Sequence, residues 1–149
     1  MIYAITDETE LGPFEKAGKL FFEECNLVGE FDYDFFLNSW QNLMDSGLGR
    51  IWVREDGDGN PVGALGAVAM PDMFTGEIVV TASFWYVLPS HRGNRASVQL
   101  IGALENWAKQ MNANRLVMAN LRTHTNSRSA SFFNALGFEE METHYWKAI

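Results

Sequence analysis

The chain has 149 residues, enough for one domain with a sizeable core, and a composition of 47% hydrophobic and 20% charged residues excludes a disordered chain. A net charge of −8 argues against a general nucleic-acid binder, and the single cysteine, Cys25, excludes an internal disulfide and a cysteine-built zinc cluster. No apolar run approaches the roughly 20 residues of a membrane span, and "MIYAITDETE" has no basic segment followed by an apolar run, so the expectation is a single cytoplasmic domain over 1–149.

In chain order, "MIYAIT" reads as a short strand. Leu11 to Cys25 carries Leu11, Phe14, Leu20, Phe21 and Phe22 among Glu and Lys, an amphipathic helix with Cys25 as a small buried side chain. "FDYDFFLNSWQNLMDSG" offers a capping Asp, apolar residues at helical spacing (Phe35, Phe36, Trp40, Leu43, Met44) and a terminating Gly47, a second helix. Phe35, Phe36 and Trp40 are expected in the core rather than as a cage for a substrate. "RIWVRE" and "VGALGAVAM", joined by the turn formers "DGDGNP", predict a hairpin, and "GEIVVTASFWYVLP" a third long strand stopped by Pro89. From Ala96 to Met111 the positions Val98, Leu100, Ile101, Leu104, Trp107, Ala108 and Met111 line one helical face, and "NAN" ends that helix. "RLVMANL" reads as a strand, "NSRSASFFNALGF" as a short helix closed by Gly137, and "METHYWKAI" as a final strand. The order β-α-α-β-β-β-α-β-α-β suits an α/β sheet with helices on both faces.

Charge is unevenly distributed along the chain. Residues 1–34 hold nine acids and two lysines, whereas residues 92–128 hold five arginines, Lys109 and only Glu105. The first region favours a cation and the second an anion, unless folding scatters them as solvated faces. The second region begins with "VLPSHRGNRASVQL", a strand-to-helix turn. A helix start offers unpaired N–H groups and partial positive charge, Gly93 permits close approach, and Arg92 and Arg95 add cations. Together these suit a phosphate, although a basic solvated turn has the same composition.

Two motifs in order, about 30 residues apart, make nearly the whole chain resemble the GNAT superfamily of acyl-CoA-dependent N-acyltransferases. The first is Val87-Leu88-Pro89 followed by Arg92-Gly93-Asn94-Arg95-Ala96-Ser97, close to a Q/R-x-x-G-x-G/A loop but with Arg95 and Ser97 at its fourth and sixth positions. The second is Asn126, Ala130, Phe132, Phe133, Leu136, Gly137 and Phe138 on the last helix. The compact "HRGxRA" loop also resembles phage-encoded members. The resemblance implies a mixed, mostly antiparallel central sheet with helices on both faces and a bulged strand before the turn. It implies acetyl-CoA as cosubstrate and no metal. The backbone of Trp85, Tyr86 and Val87 would pair with the pantetheine arm. The N–H groups of Gly93, Asn94, Arg95, Ala96, Ser97 and Val98 would hold the pyrophosphate with Arg92, and Asn126 would hold the arm near the thioester.

Two catalytic groups usual in that superfamily are missing. The position of the tyrosine that protonates the leaving thiolate is Phe133, and the strand "VMANL" offers Asn120 where a Glu is usual. Water, Tyr86, Tyr145 or His124 are the substitutes, with Glu77 reaching the acceptor side through water. Glu23, Glu24, Glu30, Asp32 and Asp34 on the first two helices would attract a cationic amine. The expected activity is transfer of an acetyl group to a primary amine of a small molecule or protein. The rival is an acyl-CoA-binding or protein-interaction module without catalysis. No nucleic-acid or membrane partner is expected, and a homodimer suits this fold.

Overall fold

The computed structural model describes residues 1–6, 8–12, 14–25, 29–93, 95–119, 127–145 and 147; of residues 8, 9, 16 and 127–129 it describes the backbone only. The chain divides into two units, Met1–Ala119 and Asn120–Ile149.

The first unit is built on a five-stranded sheet with strands in sequence order: β1 (Ile2–Ala4), β2 (Gly49–Glu55), β3 (Pro61–Pro71), β4 (Ile78–Val87) and β5 (Arg115–Val117). The first four are antiparallel and β5 runs parallel to β4. The mixed, mostly antiparallel sheet that the resemblance implies is therefore present. Helix α1 (Phe14–Glu24) follows a 3-10 turn at Glu8–Leu11, α2 (Tyr33–Asp45) precedes β2, and α3 (Arg95–Gln110) joins β4 to β5.

Strand alternation distributes the helices over two faces. Ile51 and Val53 of β2 join Ile5, Leu11, Phe14 and Trp40 in one core under α1 and α2. The intervening Trp52 turns to the other face and meets Trp107 of α3 edge-on at 5.6 Å. Leu100, Ile101 and Leu104 are buried on the same α3 stripe. Asp32 caps α2 as the sequence predicts, its Oδ1 accepting the Phe35 N–H at 2.9 Å. Asn112, just past the end of α3, takes φ 52°, and the Ala113 N–H reaches back to the Ala108 carbonyl at 2.9 Å.

Four expectations are corrected. Phe35 is 72% exposed, because Phe36, Trp40, Leu43 and Met44 form the inward stripe and Phe35 stands about 100° away from Phe36 on the helix. Val98 is also off its helix's buried stripe, at 47% exposure. The strand expected over "METHYWKAI" is absent among the described residues there, which carry no ladder; β propensity yields a strand only where a partner supplies one. The strand expected over "RLVMANL" is three residues long, and Asn120 and Leu121 lie outside the described residues.

In the second unit α4 (Ser127–Ala135) ends as the sequence predicts. Gly137 takes φ +83°, its N–H bonds the Asn134 carbonyl, and the Phe138 N–H bonds the Phe133 carbonyl, both at 3.0 Å. The Phe133 and Phe138 rings then meet at 5.7 Å. This doubly bonded helix end, with its accompanying apolar contact, accounts for the G-F pair of the second motif.

Candidate functional site

Strand β4 is bulged. Gly66 of β3 faces Phe84 and the next residue, Ala67, faces Ala82, so Ser83 is the extra residue. Beyond the bulge the far edge of β4 changes character. Strand β5 pairs only with Val79–Thr81, so among the described residues no strand flanks Ala82–Val87 on that side. The Leu88 N–H donates to the Val62 carbonyl at 2.9 Å, which fixes the phase of the ladder. Tyr86 then faces β3 with its backbone groups, and those of Trp85 and Val87 point toward the edge that β5 leaves.

The chain passes through a 3-10 turn at Pro89–His91 and Gly93 into α3. Gly93 has φ +79°, a left-handed conformation that side chains resist, and among the described residues nothing beyond its chain neighbours stands within 4 Å of where its Cβ would be. Arg95 is exposed at the helix start, Ala96 is buried and Ser97 is half-buried. The strand end and the helix start predicted as one cofactor surface are adjacent. Asn94 lies outside the described residues.

Arg92 has a role the sequence did not indicate. Its Nε donates to the Val87 carbonyl at 2.8 Å, its guanidinium pairs with Glu24 at 2.6 Å, and it lies over the Tyr86 ring at 5.4 Å. Tyr86 donates its hydroxyl to the other oxygen of Glu24 at 2.6 Å. Glu24 thus ties the end of α1 to the end of β4, a pairing across more than 60 residues. Burial, and then the bond to Glu24, pushes the Tyr86 phenol up to about 12, so it stays protonated near neutrality. Burial, and then the Glu24 charge, pushes the neighbouring Cys25 thiol up as well, which suits a packed side chain and not a nucleophile.

Glu77 is not brought to this place. Glu77 precedes β4, exposed in the β3–β4 turn; at about 3.3 Å per residue it lies roughly 20 Å along the strand from Ser83. Tyr145 belongs to the second unit and is 89% exposed. Phe133 is half-buried in that unit. His124 and Asn126 lie outside the described residues. No group of three or more metal-ligating side chains occurs among the described residues, and none of the helices there is long and apolar enough to cross a membrane.

On the α1–α2 face the first unit contains a cavity of about 420 Å³ between α1, α2 and β4. Phe14, Phe21, Phe31, Phe36, Phe84 and Tyr86 are among its walls, Ser83 reaches it from the bulge, and Glu30 and Asp32 stand at the α1–α2 connection. Those two acids, with Phe31, also line a second, acidic recess of about 500 Å³ bounded by Glu15, Tyr33 and Asp34. The aromatic density of the first 40 residues was the available signal for this cavity, but it reads equally well as ordinary core.

Comparison with known proteins agrees with this architecture. The chain matches the Acetyltransferase (GNAT) family over residues 15–138. No curated protein matches it. Among solved structures, one similar to it is AAC(6')-Iy in complex with a bisubstrate analogue, CoA-S-monomethyl-acetylneamine, at 22% identity and TM-score 0.76, covering 100% of this chain and 98% of that one. The aminoglycoside 6'-N-acetyltransferase AAC(6')-Ih from Acinetobacter baumannii is 21% identical with TM-score 0.73, covering 100% and 97%. The aminoglycoside acetyltransferase meta-AAC0020 from an uncultured soil metagenomic sample, in complex with sisomicin, is 14% identical with TM-score 0.77, covering 100% and 95%. At these identities the structures establish a shared fold.

Proposed function

Because the chain belongs to the acetyltransferase (GNAT) family, we propose that it transfers the acetyl group of acetyl-CoA to a primary amine, acting as one domain over 1–149 in the cytoplasm, where that thioester is supplied. The observation that carries this reading is that the strand edge beyond the reach of β5 lies next to a helix start. The backbone groups of Trp85 and the Val87 N–H point to the edge that β5 leaves, which suits an amide-bearing arm adding as a further strand. The Gly93 turn and the N-terminus of α3 suit the pyrophosphate, with Arg95 as the available cation since Arg92 is engaged by Glu24.

In the transfer the amine nitrogen attacks the thioester carbonyl carbon, the C–N bond forms, the C–S bond breaks and the thiolate leaves. One proton must leave the nitrogen and one must reach sulfur. A thiol of pKa about 8.5 is a good leaving group, so water can deliver that proton. This agrees with Phe133, which has none to give, and with Tyr86, whose proton is held by Glu24.

The reading is tested by release of free thiol from acetyl-CoA across a panel of primary amines. Amine-dependent release with an acetylated product by mass supports it. Coenzyme A binding without release for any amine overturns it in favour of an acyl-CoA-binding module, the alternative that Phe133 favours.

A further inference from the structure

We propose that the aromatic cavity between α1, α2 and β4, as the acceptor side of that transferase reading, selects primary amines carried on an apolar aryl or alkyl body over polyhydroxylated amines. The proposal rests on the transferase reading above.

The placement follows from β4. Along the same stretch, Ser83, Phe84 and Tyr86 contribute side chains to the cavity while Trp85 and Val87 turn backbone groups to the edge that β5 does not reach. A donor arm that runs along this edge, with its phosphates at α3, ends its thioester near the bulge. The cavity therefore opens where an amine must arrive. Its volume falls within the roughly 300–1,000 Å³ of small-molecule sites.

The selectivity follows from the walls. Rings step outward from the sheet in contact: Phe84 to Phe36 at 6.1 Å, Phe36 to Phe31 at 5.7 Å, and Phe31 to Phe22 at 6.2 Å. Two glycines make room for this wall. A Cβ on Gly18 would come 2.5 Å from the Phe31 ring, and one on Gly66 would come 2.3 Å from the Phe84 ring. The lining includes few polar side chains, so a sugar-like body entering there would lose water from its hydroxyls and find few partners. An apolar body loses nothing of the kind and covers ring surface. Glu30 and Asp32 at the α1–α2 connection, with Glu15 and Asp34 in the adjoining recess, supply the opposite charge for an incoming ammonium. Charge thus favours the amine and the walls favour what carries it.

The test compares kcat/KM for phenethylamine, tryptamine and hexylamine with that for glucosamine and sisomicin, by thiol release. The apolar amines are expected to lead by at least about tenfold. Turnover confined to glucosamine or sisomicin, or equal across the panel, overturns the selectivity and leaves the transferase reading standing; no turnover with any amine overturns both. Ala17→Trp, which fills the cavity from α1, is expected to raise KM for phenethylamine about tenfold or more while the KM for acetyl-CoA stays within about twofold. An unchanged phenethylamine KM in a variant that melts as the wild type does counts against the site.

Discussion

Gly93 and Phe133 illustrate two ways in which a motif residue acts. Gly93 occupies a left-handed conformation in open space, so a larger side chain there meets strain before it meets a clash. Strain of this kind is worth about 1–3 kcal/mol. Gly93→Val is therefore expected to weaken coenzyme A binding by about tenfold or more in calorimetry, and Asn94→Ala by less; equal losses would contradict a turn that depends on the glycine's conformation. Phe133 packs on Phe138 across the end of α4. Its ring serves the helix terminus, and a chain that works with phenylalanine there already has a route for the thiol proton. Phe133→Tyr is expected to change single-turnover rates by less than about tenfold, well below the 10²–10⁴-fold worth of a general acid. A gain near a hundredfold would show that the route is missing.

The β3–β4 connection and the bulge hold the site strand in place. Asp72 accepts the Phe74 and Thr75 N–H groups at 2.9 and 3.0 Å and pairs with Arg115 of β5 at 2.5 Å. The Phe74 N–H first, and then Arg115, bring its carboxyl down to about 2. A lowered carboxyl stabilises the fold above its ordinary pKa, near 4, and that contribution disappears as pH falls through about 2. The Tm gap between wild type and Asp72→Asn is accordingly expected to be full at neutral pH and to narrow between about pH 4 and pH 2. A gap that does not depend on pH would place the effect elsewhere. Gly66 faces the bulge, where a methyl group would strike both Phe84 and Trp40. Gly66→Ala should cost about 1–3 kcal/mol in urea denaturation, since both rings must leave their packed positions to admit the methyl group.

Over the whole chain, charge is arranged by sequence region and then modified by pairing. Four of the acids of residues 15–34, Glu15, Glu30, Asp32 and Asp34, gather around the recess beside α2, while Glu24 pairs with Arg92. The basic region is less free than its composition suggests, because Arg92 pairs with Glu24 and Arg115 with Asp72. Coenzyme A binding is still expected to weaken with salt, through Arg95 and the helix start. Raising ionic strength from about 0.1 M to 1 M shortens the screening length from about 10 Å to about 3 Å. A dissociation constant that stays flat across that range would mean that the phosphates lie outside the protein's positive field.

Local signals were enough for most elements. Turn chemistry at "DGDGNP", the capping Asp32, the helix-ending Asn112 and Gly137, and the apolar period of α3 each act within a few residues, so the sequence carries them directly. The strand-to-helix turn was legible for the same reason. What needed the tertiary structure depends on residues distant in sequence. The Glu24–Arg92–Tyr86 cluster joins α1 to β4, and no local pattern marks such a pair. The last strand was expected from propensity alone, and propensity does not supply a partner. The same aromatic residues that announced a core also frame a cavity, and only packing decides between the two. Spacing shows which residues share a helix face, but the room left between α1, α2 and β4 depends on where Gly18 and Gly66 let the rings settle.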